Sequence, residues 1–504
     1  MSTAVAHTAA GSPARPDAPR WLAGACVAGS AAVTAALAVV AAVHLDDRYA
    51  VDHASGARIA LARYAAHGVL YPPPVDGDSF GGTRFMPLPV LLHAGMSRLT
   101  GEYLVSGKLL SLATMLAVAA VMWRVLRGSG CPAPLSAGLV AAVFATQTGL
   151  LAAAGLRGDA LPLLLQLLAV AVAASSTSRR ATWAAAALAA LAIAAKLHAI
   201  WAPLAIVGWL WVSDRRRLRH FLAAYAGLTV LLLAVLTAVT GGRLLENVLG
   251  LSGAGLTGPG GVLSSPYRLL HLLVDDAPGL WLLLPLALAV GWAALRRRRP
   301  DPWQLSLVAA LLVLLVVLAD IGTGGNQLVD AAVLTGIVVG RAAGTEPGWS
   351  VPGGLYRTAL TSAVTWVLVT GLAVTLAPAV RDALGTVRDP SRYRAQPLAG
   401  VADSATTLLS EDPYVPVSLD QDPVVLDPFM LPRIARRDPA ATQTLVRRID
   451  AREFDLVVLV QPLDDAAWWA DYHFGTPVIA AVRRSYVLTQ RVQGYDVYRP
   501  RPAA

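Results

Sequence analysis

The chain has 504 residues, of which 56% are hydrophobic and only 14% are charged. Soluble domains carry about 25% charged residues, so this composition excludes a soluble class and indicates a polytopic α-helical membrane protein. The net charge of +9 comes from arginines spread through short loops, which is typical of membrane orientation and argues against a nucleic-acid partner. The two cysteines, Cys26 and Cys131, are far apart and predict neither a disulfide framework nor a cysteine metal site.

In chain order, residues 1–20 are rich in Ala, Pro, Ser and Thr and predict a disordered cytoplasmic tail. The apolar stretch 21–43 is longer than the core of a signal peptide, so we interpret it as a retained first span. Only Lys196 and Leu197 separate two later blocks, which leaves a re-entrant hairpin at 181–213 as an alternative. Apolar blocks predict about eleven spans: 21–43, 104–123, 133–153, 160–175, 181–195, 198–213, 221–240, 277–295, 303–319, 326–340 and 358–379.

Arginine placement predicts the orientation of these spans. With the N-terminus in the cytoplasm, each inner connection carries at least two arginines, near 124–127, 179–180, 215–219, 296–299 and 341–357. The outer connections carry far fewer, which is the positive-inside bias. We therefore expect a multi-pass protein of the plasma membrane, in contact with membrane lipids, whose C-terminus is extracytoplasmic.

The first outer loop, 45–103, begins with two adjacent carboxylates, Asp46 and Asp47. Residues 51–67 predict a weakly amphipathic helix on the membrane surface, and 85–99 predict a second interfacial helix. An acidic pair at the end of a span is also typical of a solvated helix boundary. That structural interpretation of the pair stays open at this point.

Further ionisable residues lie at or inside the apolar blocks, all toward the outer face of the predicted topology. Charges in such positions are costly and usually face a functional cavity. Among 41 basic residues only Lys108 and Lys196 are lysines, and a compact ammonium suits a phosphate held as a point charge. The alternative is that each lysine extends to the lipid headgroups. The residues in question are Lys108, Asp159, Lys196 with His198, Asp320 and Asp330.

Four features in this order resemble the GT-C superfamily of integral membrane glycosyltransferases, which includes protein mannosyltransferases and aminoarabinose transferases. They are the outer Asp pair, the turn GVLYPPP at 68–74, LRGDALP at 156–162 and AIAAKLHAIWAPL at 192–204. The resemblance extends over residues 21–380 and implies a GT-C-like transmembrane domain with a catalytic outer loop. It also implies a polyprenyl-phosphate sugar as donor.

By that resemblance the catalytic carboxylate is Asp46 or Asp47, Asp159 is a second acidic residue, and Lys196 lies near the donor phosphate. We expect Asp46 to act as the general base on an acceptor hydroxyl, with Arg157 and Lys108 assisting Lys196 at the phosphate. One base acting by direct displacement predicts inversion at the anomeric carbon. Further substrate contacts are expected from Tyr71, Arg84, His198, Tyr267, Arg268 and Asp330.

No metal-ligand cluster stands out in the sequence, so no cofactor is assigned and dependence on a divalent metal stays open. Adjacent Asp46 and Asp47 differ from the Asp-Glu or isolated Asp of many GT-C proteins, which leaves open which of the two is the base. The resemblance implies a hexosyl- or pentosyltransferase of cell-envelope glycan synthesis or modification, and we expect its acceptor to be a glycan, a lipid or a protein.

Residues 381–504 lack long apolar blocks and predict a small extracytoplasmic α/β domain. Segments 423–431, 454–463 and 495–500 read as strands and 440–452 as a helix. Trp468 and Trp469 with Asp464 and Asp465 line a carbohydrate surface or belong to a structural cap. Two alternatives to a glycosyltransferase are a transporter or flippase of a lipid-linked solute and a non-catalytic envelope-assembly protein. Transporters commonly show internal repeats, which this sequence lacks.

Overall fold

The computed structural model describes a helical body followed by a small mixed α/β unit. The predicted tail at 1–20, the inner loop near residue 357 and the predicted span at 358–379 fall largely outside the described residues. The structure describes residues 20–502 except 254, 257, 277, 297–300, 345–361, 370, 372–380, 382–383, 386 and 402–406.

The helical body is built from elements whose ends follow the breaks in the apolar pattern. In chain order they are α1 (Arg20–Val43), α2 (His53–Ala66), α3 (Pro87–Thr100), α4 (Tyr103–Gly128), α5 (Ala133–Ala145), α6 (Gln147–Ala154), α7 (Ala160–Ser175), α8 (Arg179–Ala195), α9 (Trp201–Ser213), α10 (Arg215–Val239), a π-helical turn (Leu245–Leu249), α11 (Pro259–Asp276), α12 (Pro278–Trp281), α13 (Leu284–Arg296), α14 (Pro302–Val317), a 3-10 turn (Gly325–Leu328) and α15 (Val329–Gly344).

Four helical stretches of the described residues are long and apolar enough to cross a membrane: 21–43, 103–128, 215–239 and 325–344. The block predicted as one span at 133–153 is broken, because α5 and α6 meet at an angle of 78°. Thr146 lies at the break, and its hydroxyl accepts a hydrogen bond from Gly149 N at 2.9 Å, which caps α6. The chain is an integral membrane protein, and a total near eleven spans stays a prediction.

The two helices on either side of Lys196 share part of their packing partners. α8 packs on α7 and α10, whereas α9 packs mainly on α14 and also contacts α7 and α10. Ala185, Ala189 and Ala192 are fully buried on α8, and such small side chains let neighbouring helices approach closely in a membrane. Two separate spans and a hairpin at 181–213 both stay predictions.

Both the interior and the outer surface of the helical body are apolar. On α10, Val230, Leu231 and Val239 have 67%, 60% and 73% of their surface exposed. Hydrocarbon around the protein accepts such side chains but no unpaired backbone polar groups. This outer surface is the one expected of helices in a bilayer.

The first loop lies between the helical body and the α/β unit. Its two helices, α2 and α3, match the two interfacial helices predicted at 51–67 and 85–99. Between them Phe80 exchanges backbone hydrogen bonds with Val424 and Leu426, each 2.8 Å long. These bonds fix the loop to a segment far along the chain, so residues of both parts meet at one place.

The α/β unit contains a four-stranded sheet of order β1-β2-β4-β3. Its strands are β1 (Leu408–Ser410), β2 (Leu456–Leu459), β3 (Tyr486–Val492) and β4 (Tyr495–Pro500). β1 and β2 are parallel, and the pairs β2/β4 and β3/β4 are antiparallel. The helices of this unit are Tyr414–Ser418, Leu431–Arg437, Ala441–Asp450, Ala466–Asp471 and Thr476–Ser485, and Pro390–Tyr393 forms a 3-10 turn before the sheet.

The predicted strands at 454–463 and 495–500 and the predicted helix at 440–452 have counterparts in this unit. The predicted strand at 423–431 is wrong, because this segment makes only one bridge, between Val425 and Phe80. The apolar side chains of this segment pack against the first loop, and the segment does not join the sheet. Strands β1 and β3 were not predicted.

Candidate active site

A cavity of about 470 Å³ lies where the first loop, the helical body and the α/β unit meet. Four cationic side chains and four carboxylates line it, together with three histidines. The charged residues are Arg58, Arg84, Arg157 and Lys196, and Asp52, Asp159, Asp320 and Asp427; the histidines are His53, His198 and His473.

The segment Arg157-Gly158-Asp159 brings two of these charges into the cavity just before α7. Gly158 has a φ of +68°, a backbone conformation that favours glycine. A Cβ at this position would also collide with the guanidinium of Arg58. The glycine therefore lets three charged side chains approach one another at one turn.

Asp159 is the most enclosed charge of the cavity, with 3% of its surface exposed. Lys196 donates a hydrogen bond to Asp159 Oδ1, and Asn326 Nδ2 donates to Asp159 Oδ2 at 2.8 Å. Burial alone would raise the pKa of Asp159, but the charges of Lys196 and Arg58 and these hydrogen bonds outweigh it and lower that pKa. Asp159 is therefore an ionised partner that holds the lysine in place.

Gln327 completes the surroundings of Lys196. Lys196 Nζ donates to Gln327 Oε1 at 2.7 Å, and the ring of His198 lies 3.1 Å from the same oxygen. An ammonium has three donors, and Asp159 and Gln327 use two of them. Within the residues that the structure describes, one N–H of Lys196 is left for a ligand in the cavity.

Asp52 is the carboxylate that the first loop contributes to the cavity. It caps α2, because Oδ1 accepts hydrogen bonds from the backbone and the hydroxyl of Ser55, each at 2.9 Å. Its Oδ2 pairs with Arg157 at 2.5 Å. Burial would raise the pKa of Asp52, but Arg157, His53 and Ser55 together lower it, so this group is ionised at neutral pH.

Arg58 differs from the other cations of the cavity. Arg84 pairs with Asp320, Arg157 with Asp52 and Lys196 with Asp159. Within the described part of the chain, Arg58 has no carboxylate partner, and its buried Nε has no hydrogen-bond partner. Its guanidinium lies over the ring of Phe85, 4.2 Å from the centroid. Burial is the main cause that lowers the pKa of Arg58, and an anion beside it would relieve that cost.

Comparisons with known proteins give a clear result for the fold. No protein-family model matches the chain, and no curated protein matches it. ArnT from Cupriavidus metallidurans, bound to undecaprenyl phosphate, superposes with a TM-score of 0.60 and 13% identity over 93% of this chain and 97% of ArnT. An apo oligosaccharyltransferase from Archaeoglobus fulgidus superposes with a TM-score of 0.55 and 10% identity over 90% of this chain and 72% of that protein.

Both proteins are GT-C glycosyltransferases. The chain has the GT-C fold. At these identities the likeness concerns the fold, and it confirms the GT-C architecture that the sequence motifs predicted. In this chain the turn before α7 and the break after α8 lie beside the first loop, which is where the charged cavity lies.

On this GT-C fold the predicted Asp pair lies beside the cavity without lining it. Asp46 is exposed. Asp47 contacts the ring of His44 at 2.5 Å and accepts a hydrogen bond from Tyr49 N at 2.8 Å. Lys108 donates to the carbonyl oxygens of His44 and Asp47. Lys108, predicted at the donor phosphate, thus fastens the start of the first loop to α4.

The other predicted residues divide into two groups. Asp159, Lys196, Arg157, Arg84 and His198 line the cavity of the GT-C fold. Four residues lie elsewhere: Tyr71 is buried and donates to Phe85 O at 2.7 Å, Tyr267 is exposed, Arg268 donates to the carbonyls of Leu318, Asp320 and Thr323, and Asp330 accepts from Trp201 Nε1 at 2.8 Å.

Sequence reasoning missed Asp52, Arg58, Asp427 and His473 as cavity residues. A capping signal was present for Asp52, since an Asp three residues before a Ser at the start of a helix is a common N-cap. No local signal marks Asp427 or His473, which reach the cavity only through packing of the α/β unit. Among the residues that the structure describes, no three His, Cys, Asp or Glu side chains are arranged to hold a metal ion.

Proposed function

We propose that this protein is a membrane glycosyltransferase that moves a sugar from a polyprenyl-phosphate donor to an acceptor on the extracytoplasmic face. The observation that carries the proposal is the cavity where Arg58 has no anionic partner, at the junction of the membrane helices and the α/β unit. Two proteins of similar fold support this donor class: ArnT was solved with undecaprenyl phosphate, and the archaeal oligosaccharyltransferase AglB with dolichol-phosphate and an inhibitory peptide.

Arg58 and Lys196 are the proposed phosphate ligands. Among the described residues, Arg58 has no carboxylate partner and its Nε has no hydrogen-bond partner, and Lys196 keeps one N–H without a partner. Charge-assisted hydrogen bonds of this kind are short and strong. As the bond between the anomeric carbon and the phosphate oxygen breaks, the oxygen keeps the bonding electrons, and both cations stabilise the growing negative charge.

We place the general base on Asp52 instead of Asp46. Both belong to the first outer loop, but only Asp52 lines the cavity, and Asp46 is exposed outside it. The acceptor oxygen attacks the anomeric carbon, its proton passes to Asp52, and polyprenyl phosphate leaves from the opposite side. A single displacement of this kind inverts the configuration of the sugar. Arg157 fixes the orientation of Asp52 through their ion pair.

The test uses purified protein in lipid nanodiscs with a panel of polyprenyl-phosphate hexoses and pentoses labelled in the sugar. The acceptor is an extract of cell-envelope glycans and lipids. We expect at least one donor to be consumed, with release of polyprenyl phosphate and transfer of label to the extract. Transport of an intact lipid-linked sugar across proteoliposomes, without consumption of any donor, would instead support the flippase alternative.

A further inference from the structure

A second cavity, of about 620 Å³, lies on the other side of the Asp52–His53 segment. Its wall comes from the start of the first loop, the turn at 392–393 and the α/β unit. Asp52, His53, Trp468 and His473 line both this cavity and the charged one. These four residues therefore form the junction of the two cavities.

Four aromatic side chains contribute to the wall of the second cavity, beside charged residues of both signs. Tyr49, Tyr393, Trp468 and Tyr495 all line it. The rings of Tyr49 and Tyr393 meet edge to face with centroids 5.6 Å apart, which gives this wall a rigid aromatic corner. Aromatic rings combine an apolar face with polar edges, a combination that suits the C–H face and hydroxyl groups of a sugar ring.

Glu411 fixes the orientation of His473 at the junction. Glu411 is fully buried. It accepts hydrogen bonds from His473 Nδ1 at 2.6 Å, Trp468 Nε1 at 2.8 Å and Val460 N at 2.6 Å. Burial would raise the pKa of Glu411, but its hydrogen bonds, first of all that from His473, lower it. An ionised Glu411 can only accept, so Nδ1 of His473 carries the proton.

The other nitrogen of His473 has no partner in the described residues. His473 has 1% of its surface exposed, and its Nε2 is buried without a hydrogen bond. The rings of His53 and Trp468 lie against it edge to face, with centroids at 4.3 and 4.7 Å. A buried polar atom of this kind is unusual in a native protein. In the neutral ring with its proton on Nδ1, Nε2 presents a lone pair that can accept a hydrogen bond.

We propose that the second cavity binds the acceptor substrate, a neutral sugar or polyol, and that His473 Nε2 accepts a hydrogen bond from one of its hydroxyl groups. This inference rests on the proposed function for the identity of the reaction. Asp52 faces the same junction and takes the proton of the attacking hydroxyl. Two acceptors at one junction favour a substrate with adjacent hydroxyl groups.

The test measures binding of methyl glycosides to the purified full-length protein by saturation-transfer NMR. The panel contains methyl mannoside, glucoside, galactoside and arabinoside. We expect ring protons of at least one glycoside to receive saturation in the wild type, and its affinity to fall about tenfold or more in His473→Phe. Glu411→Gln should weaken binding similarly, because one amide oxygen cannot accept from all the donors that the carboxylate serves, and His473 loses its fixed orientation.

Tyr486→Phe is the matched control, because Tyr486 bonds to Phe454 inside the α/β unit and lines neither cavity. It should bind glycosides like the wild type, and its melting temperature calibrates loss of stability in the other two variants. Wild-type affinity in His473→Phe, or no saturation of any glycoside by the wild type, would overturn the inference. Undecaprenyl phosphate binding is measured in parallel; its absence would count against the proposed donor and leave the glycoside result standing.

Discussion

Lys196 and Asp159 form a buried ion pair that joins the break after α8 to the start of α7. Asp159 is 3% exposed and Lys196 has 17% of its side chain exposed, so the lysine is the member that reaches the cavity. Lys196 therefore has two roles. It neutralises the buried carboxylate of Asp159, and it offers an N–H group to a ligand in the cavity. The two roles can be separated by mutation.

Lys196→Ala should lower both stability and transfer. Removal of one member of a buried pair costs about 3–5 kcal/mol, because the other charge is left without compensation. The double variant Lys196→Ala, Asp159→Asn should recover most of the stability but not the transfer activity. Thermal unfolding in detergent and the transfer assay measure the two effects. If Lys196→Ala alone were as stable as the wild type, the buried charge of Asp159 would not depend on Lys196 for compensation.

Asp52→Asn should reduce transfer by about 10²-fold or more, the usual scale for loss of a general base. Asparagine keeps the size and can still cap α2, so stability should change little. Asp46→Asn is the matched control in the same loop, and we expect transfer within about twofold of the wild type, because Asp46 is exposed and lies outside the cavity. A larger loss of transfer in Asp46→Asn than in Asp52→Asn would indicate that the general base belongs to the Asp pair.

Arg58→Gln should raise the KM for the lipid donor by about tenfold or more, because one charge-assisted hydrogen bond to phosphate contributes about 1.5–3 kcal/mol. Stability should fall only modestly, because Asp159 loses the nearby charge of Arg58 but keeps its ion pair with Lys196. Arg63→Gln is the control on the same helix: Arg63 pairs with Asp420 and Asp422 at the surface. The KM for the lipid donor is measured by titration for the wild type and for both variants. A KM of Arg58→Gln equal to that of the wild type would exclude Arg58 as a phosphate ligand.

Asp412 should make stability depend on pH. Burial raises its pKa from 3.8 to about 6. A raised carboxyl pKa contributes stability that is fully present below the unfolded value and lost as the pH rises through about 6. Asp412→Asn lacks this titration. The difference in unfolding free energy between wild type and variant should therefore change by up to about 3 kcal/mol between pH 3.5 and 7, as measured by denaturation at several pH values.

Single cysteines should report the orientation of the termini. Val75→Cys in the first loop and Asp464→Cys in the α/β unit are expected to react with a membrane-impermeant thiol reagent in intact cells, and Arg216→Cys is not. Cys26 and Cys131 are buried, which limits background labelling. Labelling of Arg216→Cys alone would reverse the predicted topology.

The sequence by itself determined the membrane class and the positions of most helices. Hydrocarbon requires runs of about 20 apolar residues with all backbone groups paired inside the helix, and this requirement is local enough to be visible in one chain. The GT-C motifs then selected the fold. Lys196 was noticed because lysine is rare in this chain. Asp159, in the turn 157–159, was noticed because a charge beside an apolar block is conspicuous in a sequence.

Only the tertiary structure decided which carboxylate of the first loop faces the cavity. Asp46, Asp47 and Asp52 are close in sequence, but Lys108 bonds to the carbonyls of His44 and Asp47 and joins that segment to α4, whereas Asp52 caps α2 and lines the cavity. His473 reaches the same place because Phe80 pairs with Val424 and Leu426 and thereby docks the α/β unit on the loop. Such long-range contacts depend on how complete surfaces pack, and no periodicity or motif in the chain records them.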